Sequence, residues 1–133
     1  MYLVLESYLN MVCDYPEAYK GQPGFEFLKD VPTVWDETKV LEAKVAEYVI
    51  TARRKGEDWY VGCINNSTER TIDINFNFLE DGEYSLELLK DSDDTDTNPN
   101  HLEISVMDVT KDDSTTVRLA SSGGTVMKLS RKH

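Results

Sequence analysis

What this chain is short of narrows the possibilities first. It has two cysteines, Cys13 and Cys63, with no CxxC pair and no Cys/His cluster. They read as free thiols, with Cys63 buried in a strand; no disulfide is called for. His101 in a loop-like stretch and His133 at the far end do not make a zinc site. No apolar run approaches the roughly 18 residues of a membrane-spanning helix. Residues 1–5 are apolar, yet they lack the basic start and small-residue cleavage site of a secretory leader, so none is assigned. Basic residues are scarce too: 14 against 25 acidic, a net charge of −11. That excludes a nucleic-acid backbone and an anionic membrane as partners, since both need clustered Lys and Arg. P-loop, GxGxxG and GxSxG motifs are missing. The glycine-rich "SSGGT" (121–125) precedes a strand and not a helix, so it is no phosphate cradle.

The 133 residues fit one domain of ordinary size, and their character changes near residue 36. Three of the four prolines (Pro16, Pro23, Pro32) fall in the first 32 residues, among Gly21 and Gly24. Short helical turns are expected over 16–20 and 24–29. Pro16 suits a first helical position near an Asp14 cap, and the spacing of Phe25 and Leu28 suits a shared face. This segment is too short and too punctuated to own a core. From residue 38 the period becomes two. Ile72, Ile74, Phe76 and Phe78 alternate with Asp73, Asn75 and Asn77. Runs led by Tyr48, Trp59, Tyr84, Leu102, Val117 and Val126 behave alike, and no proline interrupts them. Polar turns at 54–58, 65–69, 79–83, 110–114 and 121–124 separate the runs, and connectors this short favour antiparallel neighbours. The expected class is mainly β: an antiparallel β-sandwich of about seven or eight strands behind a short, partly helical N-terminal segment.

Candidate chemistry is thin. "VPTVWDETKVL" (31–41) sets Asp36 beside Glu37 and next to Trp35. Glycoside hydrolysis needs two carboxylates facing one space, roughly 5 to 10 Å apart. Neighbours in an extended segment point to opposite sides, so this pair is expected to be structural. Asp36 can cap a turn, and Glu37 can pair with Lys39, Arg53 or Arg54. "DSDDTDTNPN" (91–100) carries four aspartates in six positions, but Asp96 stands where a calcium loop of the EF-hand type needs glycine. A solvated loop is the better reading. Asn65 and Asn66 stand in N-x-S/T sequons of little weight. Trp59 shares a face with Val61 and reads as core.

The order of the motifs resembles the carboxy-terminal region of glycoside hydrolase family 97. Pro32, Thr33, Trp35, Asp36, Glu37 and Thr38 match its first block. Tyr48, Ala52, Arg53, Arg54, Gly56, Trp59, Tyr60 and Gly62 match its second. Phe78, Leu79, Gly82 and Tyr84, then Gly123 and Gly124, complete it. The start of the chain is similar to the end of the family's catalytic barrel, so nearly the whole chain is covered. The resemblance implies residues 1–36 as a remnant of the catalytic (β/α)8 barrel, its last strand and following helical segment, with its linker, and 37–133 as the C-terminal β-sandwich. It implies an α-glucosidase or α-galactosidase parent whose catalytic carboxylates, and whose calcium in inverting members, lie upstream. No catalytic, cofactor or metal residue is therefore expected here. Glu6 falls near the end of that strand without a motif to give it a role. Pro32, Trp35, Asp36, Glu37, Arg53 and Arg54 are the expected domain-junction residues. The partners implied are the N-terminal and barrel domains of the parent enzyme and a second copy of the chain, and the setting implied is the bacterial periplasm or exterior. Two departures, "SYLNM" (7–11) and the acidity after Asp91, leave substrate preference open. A carbohydrate-binding module using Tyr60 or Tyr84, or a free-standing sandwich with an exposed apolar patch over residues 1–27, are the alternatives.

Overall fold

The period-two pattern becomes eight strands: β1 (Glu37–Lys44), β2 (Tyr48–Lys55), β3 (Asp58–Asn65), β4 (Arg70–Asn75), β5 (Tyr84–Asp91), β6 (Leu102–Val109), β7 (Ser114–Leu119) and β8 (Gly124–Arg131). They are seen in a computed structural model that describes residues 1–7, 9, 11, 15–22, 24–92 and 101–133. Six strands form one sheet in the order β1-β2-β3-β8-β5-β6, and β4 and β7 form a second. Every pairing is antiparallel. The short connectors are less local than the sequence implies. Only the 54–58 turn joins paired strands; the other four carry the chain from one sheet to the other. Layer crossing is what lets a two-sheet core close around strands with one apolar face each.

That core lies between the sheets. Ile74, Phe76, Val117 and Leu119 from the small sheet and its flank meet Val61, Leu86, Met127 and Leu129 from the large one. Trp59 is buried there, as its alternation with Tyr60 implies, and its ring meets Phe78 edge-on at 5.0 Å between centroids. Cys63 is buried in β3; lost solvation pushes its thiol up to about 11, so it stays protonated at neutral pH. Cys13, Asp14, Pro23 and residues 93–100, with the calcium-loop question, lie outside the described residues.

The outer face of the large sheet has a cover of its own. A 3-10 turn (Pro16–Tyr19), with Pro16 at its start, and a helix α1 (Phe25–Asp30) lead across it. Phe27, not the Phe25/Leu28 pair, is the buried member of α1. It joins Leu3, Tyr60 and Leu89 in a second, smaller cluster, with Val31, Trp35 and Val126 at its margin. Residues 1–5 are not a strand: Val4 and Leu5 N–H groups both donate to the Met1 carbonyl and close a turn. A strand needs a neighbouring ladder for its backbone groups, and none is present beside them among the described residues. Buried Leu3 reaches the sheet at Gly62, where a Cβ would stand 2.7 Å from that of Leu3. The glycine of β3 is thus the gap into which the segment docks. At the far end, Asp91 accepts from the Gly124 N–H at 3.1 Å and the Ala120 N–H at 3.4 Å. A Cβ on Gly123 would meet the Asp91 carboxylate at 2.0 Å, so "SSGG" is glycine-rich for steric room and not for phosphate.

Candidate domain junction

The 31–41 stretch runs from the end of α1 into β1, along the outer cluster. Pro32 is half-buried just past the helix, where proline biases Val31 toward extended backbone. Trp35 is half-buried and meets the Tyr60 ring edge-on at 5.3 Å. Above the indole, at 5.8 Å, lies the guanidinium of Arg53. Arg53 is only 3% exposed, and it donates to Glu6 Oε2 at 3.0 Å and to the Val4 carbonyl at 3.3 Å. A buried guanidinium is tolerable only with such partners. One arginine therefore ties β2, the 31–36 stretch and the first residues together. Tyr60 adds a hydroxyl bond to the Asp30 carbonyl at 3.3 Å, and Lys128 reaches the Asp30 carboxylate at 3.0 Å.

Asp36 and Glu37 face different partners. Asp36 Oδ2 accepts the Gly56 N–H at 2.8 Å, and Oδ1 accepts from Lys55 at 3.1 Å. It caps the β2–β3 turn, and the Gly56 bond is the main reason its carboxyl titrates below the usual range. Glu37 meets Lys39 at 3.2 Å and Arg54 at 3.2 Å, and those pairs, Lys39 first, hold its carboxyl low as well. Both groups are ionised at neutral pH, whereas a general acid for glycoside cleavage needs a raised pKa. Arg53 and Arg54 are successive on a strand and point to opposite faces, Arg54 lying over Trp59 at 5.9 Å on the inner side. The six expected junction residues thus fall in one zone but divide between the two faces. Glu6 belongs with them, as the partner of Arg53. Only the similarity to a barrel end drew attention to it, because an ion pair across 47 positions leaves no local pattern.

Other expectations meet plain geometry. Tyr60 and Tyr84 are 4% and 1% exposed, so neither is the open sugar platform of a binding module. The Asn65 amide donates to the Thr68 and Ala120 carbonyls, and that of Asn66 to the Ala46 carbonyl; these asparagines fix loops. Among the described residues no three His, Cys, Asp or Glu side chains gather to hold a metal ion. The apolar patch expected near the start is partly present: Met1, Leu5, Leu9, Met11 and Tyr15 are exposed beside the buried Leu3. Next to them, an open apolar groove of about 860 Å³ runs between the segment and the sheet, past Tyr19, Phe25, Leu89 and Leu102.

These features define a class: a two-sheet β-sandwich whose conspicuous groups serve docking and bracing. The family follows from comparison. Residues 34–130 match the family described as glycosyl-hydrolase 97 C-terminal, oligomerisation, and the chain belongs to it. It is a C-terminal accessory domain of glycoside hydrolase family 97. A retaining alpha-galactosidase of Bacteroides thetaiotaomicron is 39% identical over 130 residues, which is 97% of this chain and 20% of that protein. A family 97 enzyme from Pseudoalteromonas sp. strain K8, solved with acarbose, superposes with a TM-score of 0.94 at 35% identity, over 99% of this chain and 22% of that one. A beta-arabinopyranosidase, at 24% identity and a TM-score of 0.68 over 86% of this chain and 18% of its own, shares the fold. The chain therefore spans about a fifth of the length of such relatives.

Proposed function

We propose that this chain is the non-catalytic end of a larger hydrolase acting on α-galactosides or α-glucosides, in which it braces the catalytic barrel and joins copies of the enzyme. The observation that carries this is the outer layer. The described residues of 1–36 are held on the sandwich by Leu3, Phe27, Trp35 and Arg53, while Met1, Leu5, Leu9 and Met11 are exposed. An apolar surface tied down by an ion pair from the buried Arg53 to the exposed Glu6 suits a seat for another domain. On this reading residues 1–36 are the barrel's end and linker, 37–133 are the sandwich, and the junction residues transmit the barrel's position to it. Any calcium requirement of the parent lies upstream. The test is an assay of the chain alone with p-nitrophenyl α-galactoside and α-glucoside, with and without calcium. No turnover above buffer is expected; hydrolysis by this chain would overturn the reading.

A further inference from the structure

Building on the reading that this domain joins copies of its enzyme, we propose where: β6 of one copy pairs antiparallel with β6 of a second, about a two-fold axis at Ser105, extending one sheet through both molecules. The large sheet has two edges, and they differ. β1 breaks register between Val40 and Glu42 and carries Glu37, Lys39, Glu42 and Lys44, the devices that discourage strand addition. β6 pairs with β5 in unbroken register along its whole length, has no proline, and is unpaired on its other side among the described residues. Its middle is apolar and open: Ile104 is 57% exposed, Val106 70% and Met107 40%.

Charge favours the same edge. At −11 the chain repels its own kind over most of its surface. The two acids of β6 are already matched within the copy, Glu103 with Lys90 at 2.6 Å and Asp108 with Lys132 at 2.6 Å. Register then selects the axis. Residues opposite one another in an antiparallel ladder share a face, so a two-fold perpendicular to the sheet falls on a residue. Centred on Ser105, it sets Ile104 against Val106 of the second copy, Glu103 against Met107 and Leu102 against Asp108. Ile104 and Val106 then form apolar cross-strand pairs, and no acid faces an acid. Centred on Val106, it would set Ile104 against Asp108; centred on Ile104, it leaves Met107 and Asp108 without an opposite strand. A single strand seam is smaller than the roughly 1,200 Å² of a standard interface, so association of this chain alone is concentration-dependent.

Sedimentation velocity of the wild-type chain, Val106→Lys and Leu5→Lys, over a range of concentrations, tests the seam. Wild type should self-associate. Val106→Lys should raise the dissociation constant at least about tenfold, with Tm unchanged because the side chain is exposed. Under mild oxidation Ser105→Cys, in a Cys13→Ser background, should give a covalent dimer. If wild type associates and Val106→Lys does so equally well, the β6 seam is wrong and the joining of copies stands; loss of association in Leu5→Lys alone would move the contact to the N-terminal patch. A wild-type chain that stays monomeric to about 1 mM, the concentration at which even 4 kcal/mol of binding shows, would overturn both.

Discussion

The two faces of the large sheet are both covered, by different means. The inner face meets a second sheet, and its side chains interdigitate from both layers into one continuous core. The outer face meets the described part of residues 1–36, which touches down at a few anchors: Leu3 at Gly62, Phe27 at Tyr60, Trp35 at Arg53. The inner interface carries the domain's stability because it is apolar, broad and close-packed. The outer one rests on discrete contacts between the segment and the sheet. That division suits the seat for a neighbouring domain proposed above.

Four substitutions put that contrast to work. Phe76→Ala, in the core between the sheets, should cost about 3–5 kcal/mol, seen in a urea melt as a lower midpoint for the whole domain. Gly62→Ala should cost about 1–3 kcal/mol, because the added methyl collides with Leu3. Its signature should be local: faster proteolysis within residues 1–36 at a core melting point little changed. If instead proteolysis stays slow and the whole molecule melts early, the two faces are one cooperative unit. Trp35→Ala removes a half-buried ring and should cost about 1–2 kcal/mol, again with loosening of the segment before the sandwich. The smallest effect belongs to Asp36→Asn. The folded Asp36 carboxyl titrates below its unfolded value, so its contribution is complete above the unfolded pKa and disappears as pH falls through the folded one. Wild type should therefore lose more Tm than the variant between pH 5 and about pH 2; parallel profiles would remove Asp36 from the brace.

The sequence announces one of these faces well and the other poorly. Alternation in Ile72–Phe78 and in Trp59–Cys63 marks the inner side, since one buried face at a period of two is a local signal. Tyr60 is another matter. It sits on what alternation treats as the wet face of β3, yet it is buried because a segment 24 to 59 positions earlier lies on it. Long-range covering of that kind has no period. The order of strands was hidden for a related reason: the 65–69 and 110–114 turns look like hairpins but change sheets, and turn composition does not encode which layer comes next. Asp36 at its turn and Glu37 with Lys39 and Arg54 were legible because both interactions span one adjacent hairpin. Glu6 with Arg53 was not. β6 alternates as a buried strand would, but Ile104 and Val106 stand opposite Leu89 and Glu87, on the outer face at the sheet's edge, and so stay in view.

The position of β8 has a consequence during synthesis. It lies between β3 and β5, so the middle of the large sheet is the part translated after all its other strands. As the ribosome works, β1 through β3 can form a meander and β5 with β6 a hairpin, but these two halves share no ladder until residues 124–131 leave the exit tunnel. Late closure by a non-local strand makes for slow folding and leaves two strand edges open in the meantime. A nascent chain stalled before residue 124 should bind chaperones, and emergence of β8 (Gly124–Arg131) should end that hold.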